Sequence, residues 1–320
     1  MGTPAADAGR ASAWHVGVPG DDHTLRRVAL GSSGLSVVGL GRSADASAYF
    51  LPELGIAFDA GLHVKSLAPR CVLLTHGHRD HTAALPAMAA GAAKVLAPKA
   101  IAPLVRRFLL AEAQLNFGDA AQTDAGTVAA LGDFDLVGVE DGDEVLLPRS
   151  CYAGSPTPIG VEVFAAPHKD GVPAVSYGLY RAKSRLRPEY AQLPKSELGR
   201  LLRDKAVDVE TIKEPYNEGV VFYTGDTTID LLRGRWSEIF PKYRHIIHEV
   251  TFFGEATNAL DEVSREKGHT HYAQLHPFVL AYPGTTFICV HWSLRYSKDG
   301  ILDFFRDQYG GVPSNVVLWV

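Results

Sequence analysis

Within six residues, His76-Gly77-His78-Arg79-Asp80-His81 gathers three imidazoles and a carboxylate. The apolar run Cys71-Val72-Leu73-Leu74 directly before it is short and free of Gly and Pro, which predicts a buried strand. A turn at a strand end holds its side chains on a rigid footing, as a metal ion requires. Imidazole nitrogen and carboxylate oxygen suit zinc, and a catalytic zinc usually takes three protein ligands. Four donors in so short a stretch therefore predict two adjacent metals. A lone histidine elsewhere among the thirteen of this chain reads as an ordinary polar residue. The block gains its meaning from what surrounds it.

The surrounding elements repeat one device. Leu35 to Leu40, Ala48 to Leu51 and Gly55 to Phe58 predict strands of an antiparallel or mixed sheet, and the third ends in Asp59-Ala60-Gly61. After the ligand strand, Thr82 to Ala90 reads as a helix closed by Gly91, Ala93 to Ala97 as a strand and Ile101 to Asn116 as a helix. Leu136 to Leu147 carries two strand-like stretches across the turn Asp141-Gly142-Asp143. Val161 to Ala166 stops just before His168, and Gly219 to Thr224 runs into Gly225-Asp226-Thr227. His245 to Val250 carries Glu249 at its end with Thr251 beyond it, and Thr285 to Val290 stops at His291. Helical segments fall at about 228–239, 257–267, 271–282 and 298–309. Strands that each deliver a ligand-type residue at the C-terminal end predict convergence along one edge of packed sheets. Strands followed by helices predict an α/β arrangement, with sheets inside and helices outside.

Composition sets the bounds. A chain of 320 residues makes one large domain or two small ones, and 46% apolar residues supply a sizeable core. With a net charge of −5, any nucleic-acid surface must be a local patch. Cys71, Cys151 and Cys289 form no C-x-x-C pair, so reduced core thiols and a reducing, cytoplasmic compartment are expected. The Ala-rich tract from Ala83 to Val105 is broken by Lys94 and Lys99, which argues against a membrane span. The N-terminus has Asp7, Asp21 and Asp22 and no apolar h-region, so no secretory signal is expected. Residues 1–25 are expected to be loosely ordered, ahead of a domain over 26–320.

With these motifs in order, the chain resembles the metallo-β-lactamase-fold hydrolases, and in particular the tRNA 3′-processing endonucleases, tRNase Z, in their short, plant-like form. The block His76 to His81, the strand-end acid in Asp59-Ala60-Gly61, His168, Tyr223-Thr224-Gly225-Asp226-Thr227 and His291-Trp292-Ser293-Leu294-Arg295-Tyr296 fall in that family's order and approximate spacing. His-aromatic-Ser-x-Arg-Tyr is the more specific motif. Glu249-Val250-Thr251-Phe252 and Gly268-His269-Thr270-His271 add a second family-like pair. The resemblance covers roughly 35–310 and implies an αβ/βα four-layer sandwich, a homodimer and two zinc ions per chain, with Mn2+ or another divalent ion as a substitute. It implies that His76, His78 and His168 hold one ion, that Asp80, His81 and His291 hold the other, and that Asp226 bridges. Val250, Trp292 and the order His-Thr-His at His269 depart from the usual pattern without removing a ligand.

Two adjacent metals support hydrolysis of a phosphodiester. Asp80 can orient or deprotonate the attacking water, and an acid such as Glu249 bonded to His269 keeps that histidine a proton donor. Between His168 and Asp226, residues 181–205 carry eight basic side chains against three acidic ones. A solvated helical face is the usual meaning of such a run. Its place, where the family inserts a tRNA-holding arm, predicts instead an insertion at about 181–216 that grips phosphates through Arg181, Lys183, Arg185 and Arg187. Ser293 and Arg295, from the last motif, join the expected substrate contacts. The expected activity is removal of 3′ trailers from precursor tRNA, leaving a 3′-hydroxyl, with no membrane partner. A small-molecule phosphodiesterase or other hydrolase on the same fold is the rival. A catalytically dead RNA-binding subunit would lack ligands, and none is missing here.

Overall fold

Two mixed β-sheets stack face to face in the computed structural model, which describes residues 12–15, 24–117, 135–204, 207–208, 210–254 and 259–320. The first sheet runs in chain order through β1 (Ser12–His15), β2 (Thr24–Ala29), β3 (Ser36–Ser43), β4 (Ala46–Leu51), β5 (Ile56–Phe58), β6 (Cys71–Leu73), β7 (Lys94–Pro98) and β8 (Asp135–Val139). The second contains β9 (Glu144–Leu146), β10 (Ile159–Ala165), β11 (Val175–Leu186), β12 (Lys213–Tyr223), β13 (His245–Glu249), β14 (Thr286–Val290) and β16 (Val316–Leu318), in the order β16-β14-β13-β12-β11-β10-β9. A two-residue strand, β15 (Trp292–Ser293), leaves the second half of the chain to pair with β3 of the first sheet. The strands nearest the ligand loops, β5 to β7 and β12 to β14, are parallel.

Strict alternation explains why these strands read as continuous apolar runs. In β6, Cys71 and Leu73 point between the sheets while Val72 points outward, and all three are fully buried. Ile247 of β13 and Ile288 and Val290 of β14 meet them in the central layer. The outer face of the first sheet is covered by helices Leu85–Ala89 and Ala102–Phe117, through Met88, Val105 and Leu109. Helices Asp230–Ile239, Tyr272–Ala281 and Lys298–Tyr309 cover the second, through Leu232, Leu275 and Phe305 against Phe222 and Phe287. Strands buried on both faces belong to parallel sheets clad in helices. Each such side chain stabilises by about 1.5–3 kcal/mol. The layers are α/β/β/α, the metallo-β-lactamase sandwich that the resemblance implied.

Three local features differ from the sequence expectation. The single helix expected over Thr82 to Ala90 is two, Arg79–Thr82 and Leu85–Ala89. Pro86 lacks an N–H and fits only in a first turn, so the chain breaks before it and starts again. The expected helix from about 257 begins at Leu260 among the described residues. The basic run is a strand where it starts: Arg181 to Leu186 extend β11 and pair with Lys213 to Glu218 of β12, making a two-stranded ribbon tipped by helices Pro188–Ala191 and Lys195–Arg203. Of residues 1–25, Ser12–His15 pairs antiparallel with β2, and most of the rest lies outside the described residues. No helix of the described residues is long and apolar enough to cross a membrane. All three cysteines are free and buried.

Candidate metal centre

The ligand loops of both sheets open at one edge of the sandwich, and two hydrogen bonds between the sheets fix them together. The Val175 amide, at the start of β11, donates to the Thr75 carbonyl at 2.9 Å, and the Tyr177 hydroxyl donates to the Leu74 carbonyl at 2.8 Å. Gly225 lies against the same spot at φ +60, where a Cβ would come within 2.7 Å of the Thr75 side chain. Only glycine lets the Asp226 loop approach the histidine loop so closely.

Here two clusters share one carboxylate. His76, His78, His168 and Asp226 offer ligand atoms within 4.8 Å of one another, and so do Asp80, His81, Asp226 and His291. Asp226 Oδ1 lies 3.3 Å from His81 Nε2 and 3.4 Å from His291 Nε2, while Oδ2 lies 3.7 Å from His76 Nε2. Asp80 Oδ2 lies 3.4 Å from His81 Nε2 and 3.3 Å from His291 Nε2. All seven expected ligands come together, and only His78 is more than marginally exposed.

Tautomers are set from behind. Asp59, fully buried, accepts from His81 Nδ1–H at 2.7 Å and from the Tyr223 hydroxyl at 2.7 Å. The Thr75 hydroxyl donates to Asp59 at 2.9 Å and accepts from His76 Nδ1–H at 3.0 Å. The second sheet repeats this relay: the Thr251 hydroxyl donates to Glu249 Oε2 at 2.8 Å and accepts from His291 Nδ1–H at 2.9 Å. His168 Nδ1–H donates to the Gly268 carbonyl at 2.6 Å. Four imidazoles are thereby held with Nε2 turned to the centre, the arrangement that outer partners impose on metal-binding histidines. His78 instead turns Nδ1 inward, 3.3 Å from His168 Nε2.

These residues fit a pair of divalent ions. His76 Nε2 and His81 Nε2 are buried without a hydrogen-bond partner, which is costly unless another species fills the gap. Burial holds His76, His78 and His168 below the usual imidazole range, so they are neutral ligands near pH 7. Burial opposes ionisation of Asp226, but the imidazoles of His291 and His81 outweigh it and keep the carboxyl well below its usual range. Burial likewise lowers His81, yet Asp226 and Asp59 together raise it, so its inner side favours a positive partner, which a bound cation would supply in place of a proton.

Beside the second cluster sits the expected proton donor. Glu249 Oε1 accepts from His269 Nδ1–H at 3.0 Å and from the Thr270 amide at 2.9 Å. Burial alone would lower His269, but the Glu249 carboxylate outweighs it and raises the imidazole to about 9. Its ring lies 5.2 Å from that of His168 and 5.4 Å from that of His291, between the two clusters. Ser293 follows directly, its amide donating to the Thr251 carbonyl at 3.2 Å, and Arg295 stands 5.9 Å over the Phe252 ring at the rim.

The arm residues lie elsewhere. Strand β11 starts at the ligand edge and carries Arg181, Lys183 and Arg185 toward the other end, with Arg187 beyond it, about 3.3 Å further per residue. Their charges are met locally: Arg181 and Lys183 pair with Glu218 at 3.6 and 2.6 Å, and Arg185 with Glu214 at 2.8 Å. Counted over 181–218, basic residues outnumber acidic ones only nine to seven. What the sequence reading missed is the holding shell of Thr75, Thr251, Tyr223 and the Gly268 carbonyl. Each stands within three residues of a strand-end ligand or of the Glu249–His269 pair, which is the signal that finds it.

The layering is that of the metallo-β-lactamase fold, and the paired His/Asp clusters support a metal-dependent hydrolase. Among characterised proteins the chain is similar to chloroplastic tRNase Z TRZ2 of Arabidopsis thaliana, 22% identical over 280 residues, 83% of this chain and 70% of that protein. No family model matches. Among solved structures, human tRNase Z, short form, aligns at TM-score 0.46 and 16% identity over 88% of this chain and 93% of its own. The metallo-β-lactamase-fold protein YhfI of Bacillus subtilis aligns at 0.48 and 11% over 89% and 87%. Neither structural likeness speaks to the reaction.

Proposed function

We propose that the protein is a two-zinc endoribonuclease that removes 3′ trailers from precursor tRNA and acts as a homodimer. The observation that carries this reading is His269, bonded to Glu249, set 4.0 Å from Asp226 and raised to about 9. Cleavage that leaves a 3′-hydroxyl expels a ribose alkoxide, a strong base that departs poorly without a proton. A protonated imidazole over the centre answers that need.

His76, His78, His168 and Asp226 would hold one ion, and Asp80, His81, His291 and Asp226 the other. Bound there, the pair supplies Lewis acidity to the phosphodiester and activates the attacking water. The chain's own groups do the rest. Asp80 Oδ2 accepts from the Ala44 amide and lies among the ligand atoms of the second cluster, which leaves Oδ1 to accept a hydrogen bond from the water and aim it. The water oxygen bonds to phosphorus, the bond to the tRNA 3′ oxygen breaks, and His269 delivers its proton to that oxygen. Arg295 at the rim contributes a cation for a flanking phosphate. Arg181, Lys183, Arg185, Arg187 and the arm tip contact the body of the RNA.

The test is direct. Incubation of the metal-loaded protein with a 3′-extended precursor tRNA should give a discrete cut at the base of the acceptor stem, with a 3′-hydroxyl on the tRNA. Intact precursor, together with turnover of a small phosphodiester, would support the small-molecule hydrolase instead.

A further inference from the structure

Outside the metal centre, two of the three cysteines meet. Cys71 opens β6, and Cys151 closes the short 3-10 turn Arg149–Cys151; both are fully buried in the layer between the sheets. Their thiols are neighbours in that layer, close enough for each to perturb the other's ionisation. The backbone holds them there from both sides, the Cys71 amide donating to the Gly55 carbonyl at 3.3 Å and the Ala153 amide to the Leu54 carbonyl at 2.7 Å. Cys289 lies in the separate core beneath the helices of the second sheet.

We infer that Cys71 and Cys151 are a modification site, a thiol pair that a small-molecule disulfide closes into a covalent tie between β6 and the Arg149–Cys151 turn. The turn supplies the way in. Pro148, Arg149 and Ser150 are exposed, and opening these few residues uncovers Cys151 while β6 stays in its sheet. Local openings of that size cost far less than global unfolding. The roles divide by environment. The neighbouring Cys71 thiol draws Cys151 down to about 7, whereas Cys151, with burial, pushes Cys71 up. Cys151, which the exposed turn uncovers while Cys71 stays in a strand paired on both sides, is therefore the attacking thiolate. Its sulfur bonds to one sulfur of the reagent and expels the other half as a thiol. The Cys71 sulfur then displaces the half held on Cys151, and its proton leaves with that half. Two cysteine thiols are oxidised and one disulfide is reduced to two thiols. The tie would anchor the root of the strand whose next loop carries His76, His78 and His81. None of this depends on the nuclease reading.

The probe is 2,2′-dithiodipyridine, applied to the folded, metal-loaded protein. Free thiols counted after denaturation should fall from three to one. The intact mass should drop by two hydrogens, and a non-reducing peptide map should join the Cys71 and Cys151 peptides, leaving Cys289 open to alkylation. Thermal unfolding should move to higher temperature and return with dithiothreitol. Cys151→Ser, the milder change, should leave Cys71 unreactive, and Cys289→Ser should close the tie like the wild type. Three surviving thiols, a lasting pyridyl adduct on Cys151 beside a free Cys71, a link through Cys289, or Cys71 reacting undiminished in Cys151→Ser would overturn the inference.

Discussion

The two ends of the second sheet handle charge in opposite ways. At the ligand edge, polar groups are buried, their far sides are fixed by Asp59, Glu249, Thr75 and Thr251, and on their near sides His76 Nε2 and His81 Nε2 have no hydrogen-bond partner. At the arm, cations are partly or fully exposed and meet their own carboxylates across the ribbon. A buried atom without a partner costs about 1–3 kcal/mol, and an exposed ion pair is worth about 0–1 kcal/mol. The first arrangement persists only if something else completes it. The second is complete already and must give up pairs to bind. That contrast predicts a steep response to mutation at one end and a shallow one at the other.

The steepest response belongs to the shared ligand. Asp226→Ala should abolish turnover on every substrate and lower the metal content. The wild type should carry close to two ions per chain, one for each His/Asp cluster, and elemental analysis that finds one ion or none in active protein refutes the paired centre. His78→Ala should behave alike. Next comes the proposed proton donor. His269→Ala should slow precursor cleavage by about 10²–10⁴-fold, yet slow bis(p-nitrophenyl) phosphate far less, because a nitrophenolate departs unaided. Equal losses on both substrates would make His269 a positioning residue. His269 is raised, so its acidic form is present at neutral pH and is lost as pH climbs through its folded value. Glu249→Gln removes the carboxylate that raises it, and the alkaline limb of precursor cleavage should move to lower pH.

Smaller effects sharpen the contrast. Asp59→Asn turns an amide N–H toward one of the donors now served by the carboxylate, Thr75 or His81. Losses of this outer kind cost about 10–100-fold in metal affinity, which a chelator competition would measure. At the arm, Leu186 lies opposite Lys213, so residues 187–212 can be replaced by a tight turn. That deletion should spare the small substrate, weaken precursor binding, and flatten its salt dependence by about one unit for each phosphate no longer gripped. Unchanged precursor affinity would mark the run as a solvated surface. Glu218→Gln frees Arg181 and Lys183 from their shared partner. Exposed pairs are worth about 0.2–1 kcal/mol, so precursor affinity should rise no more than about fivefold.

Much of the centre was legible because chemistry and strand pattern coincide in the sequence. His76, His168, Asp226 and His291 each follow an apolar run, and those runs became β6, β10, β12 and β14. The fold followed from the same runs, whose continuity reflects burial on both faces. The arm was harder. Arg181, Lys183 and Arg185 recur with a period of two, which is itself a strand signal, but the charge masked it. The acids that balance them, Glu214 and Glu218, stand about thirty residues later on the partner strand, where a local charge count does not look. The Asp59–Thr75–His76 and Glu249–Thr251–His291 relays were hidden for a related reason. Threonine is common at strand ends, and only the fold shows which hydroxyls stand between a carboxylate and a ligand.

The bond from Val175 to the Thr75 carbonyl has a consequence for synthesis on the ribosome. His76, His78, Asp80 and His81 leave the exit tunnel early, but their partners sit on the other sheet, and His291 lies close to the last strand. Contacts so distant along the chain form slowly, since loop closure comes before any reward. Until the second sheet docks, the early histidines are loose ligands, able to take a stray ion in the wrong geometry. On the two-ion reading, metal would be acquired in its working arrangement late, once the second sheet has docked. A nascent chain stalled before residue 291 should bind zinc weakly and exchange it freely, whereas the released protein should hold it.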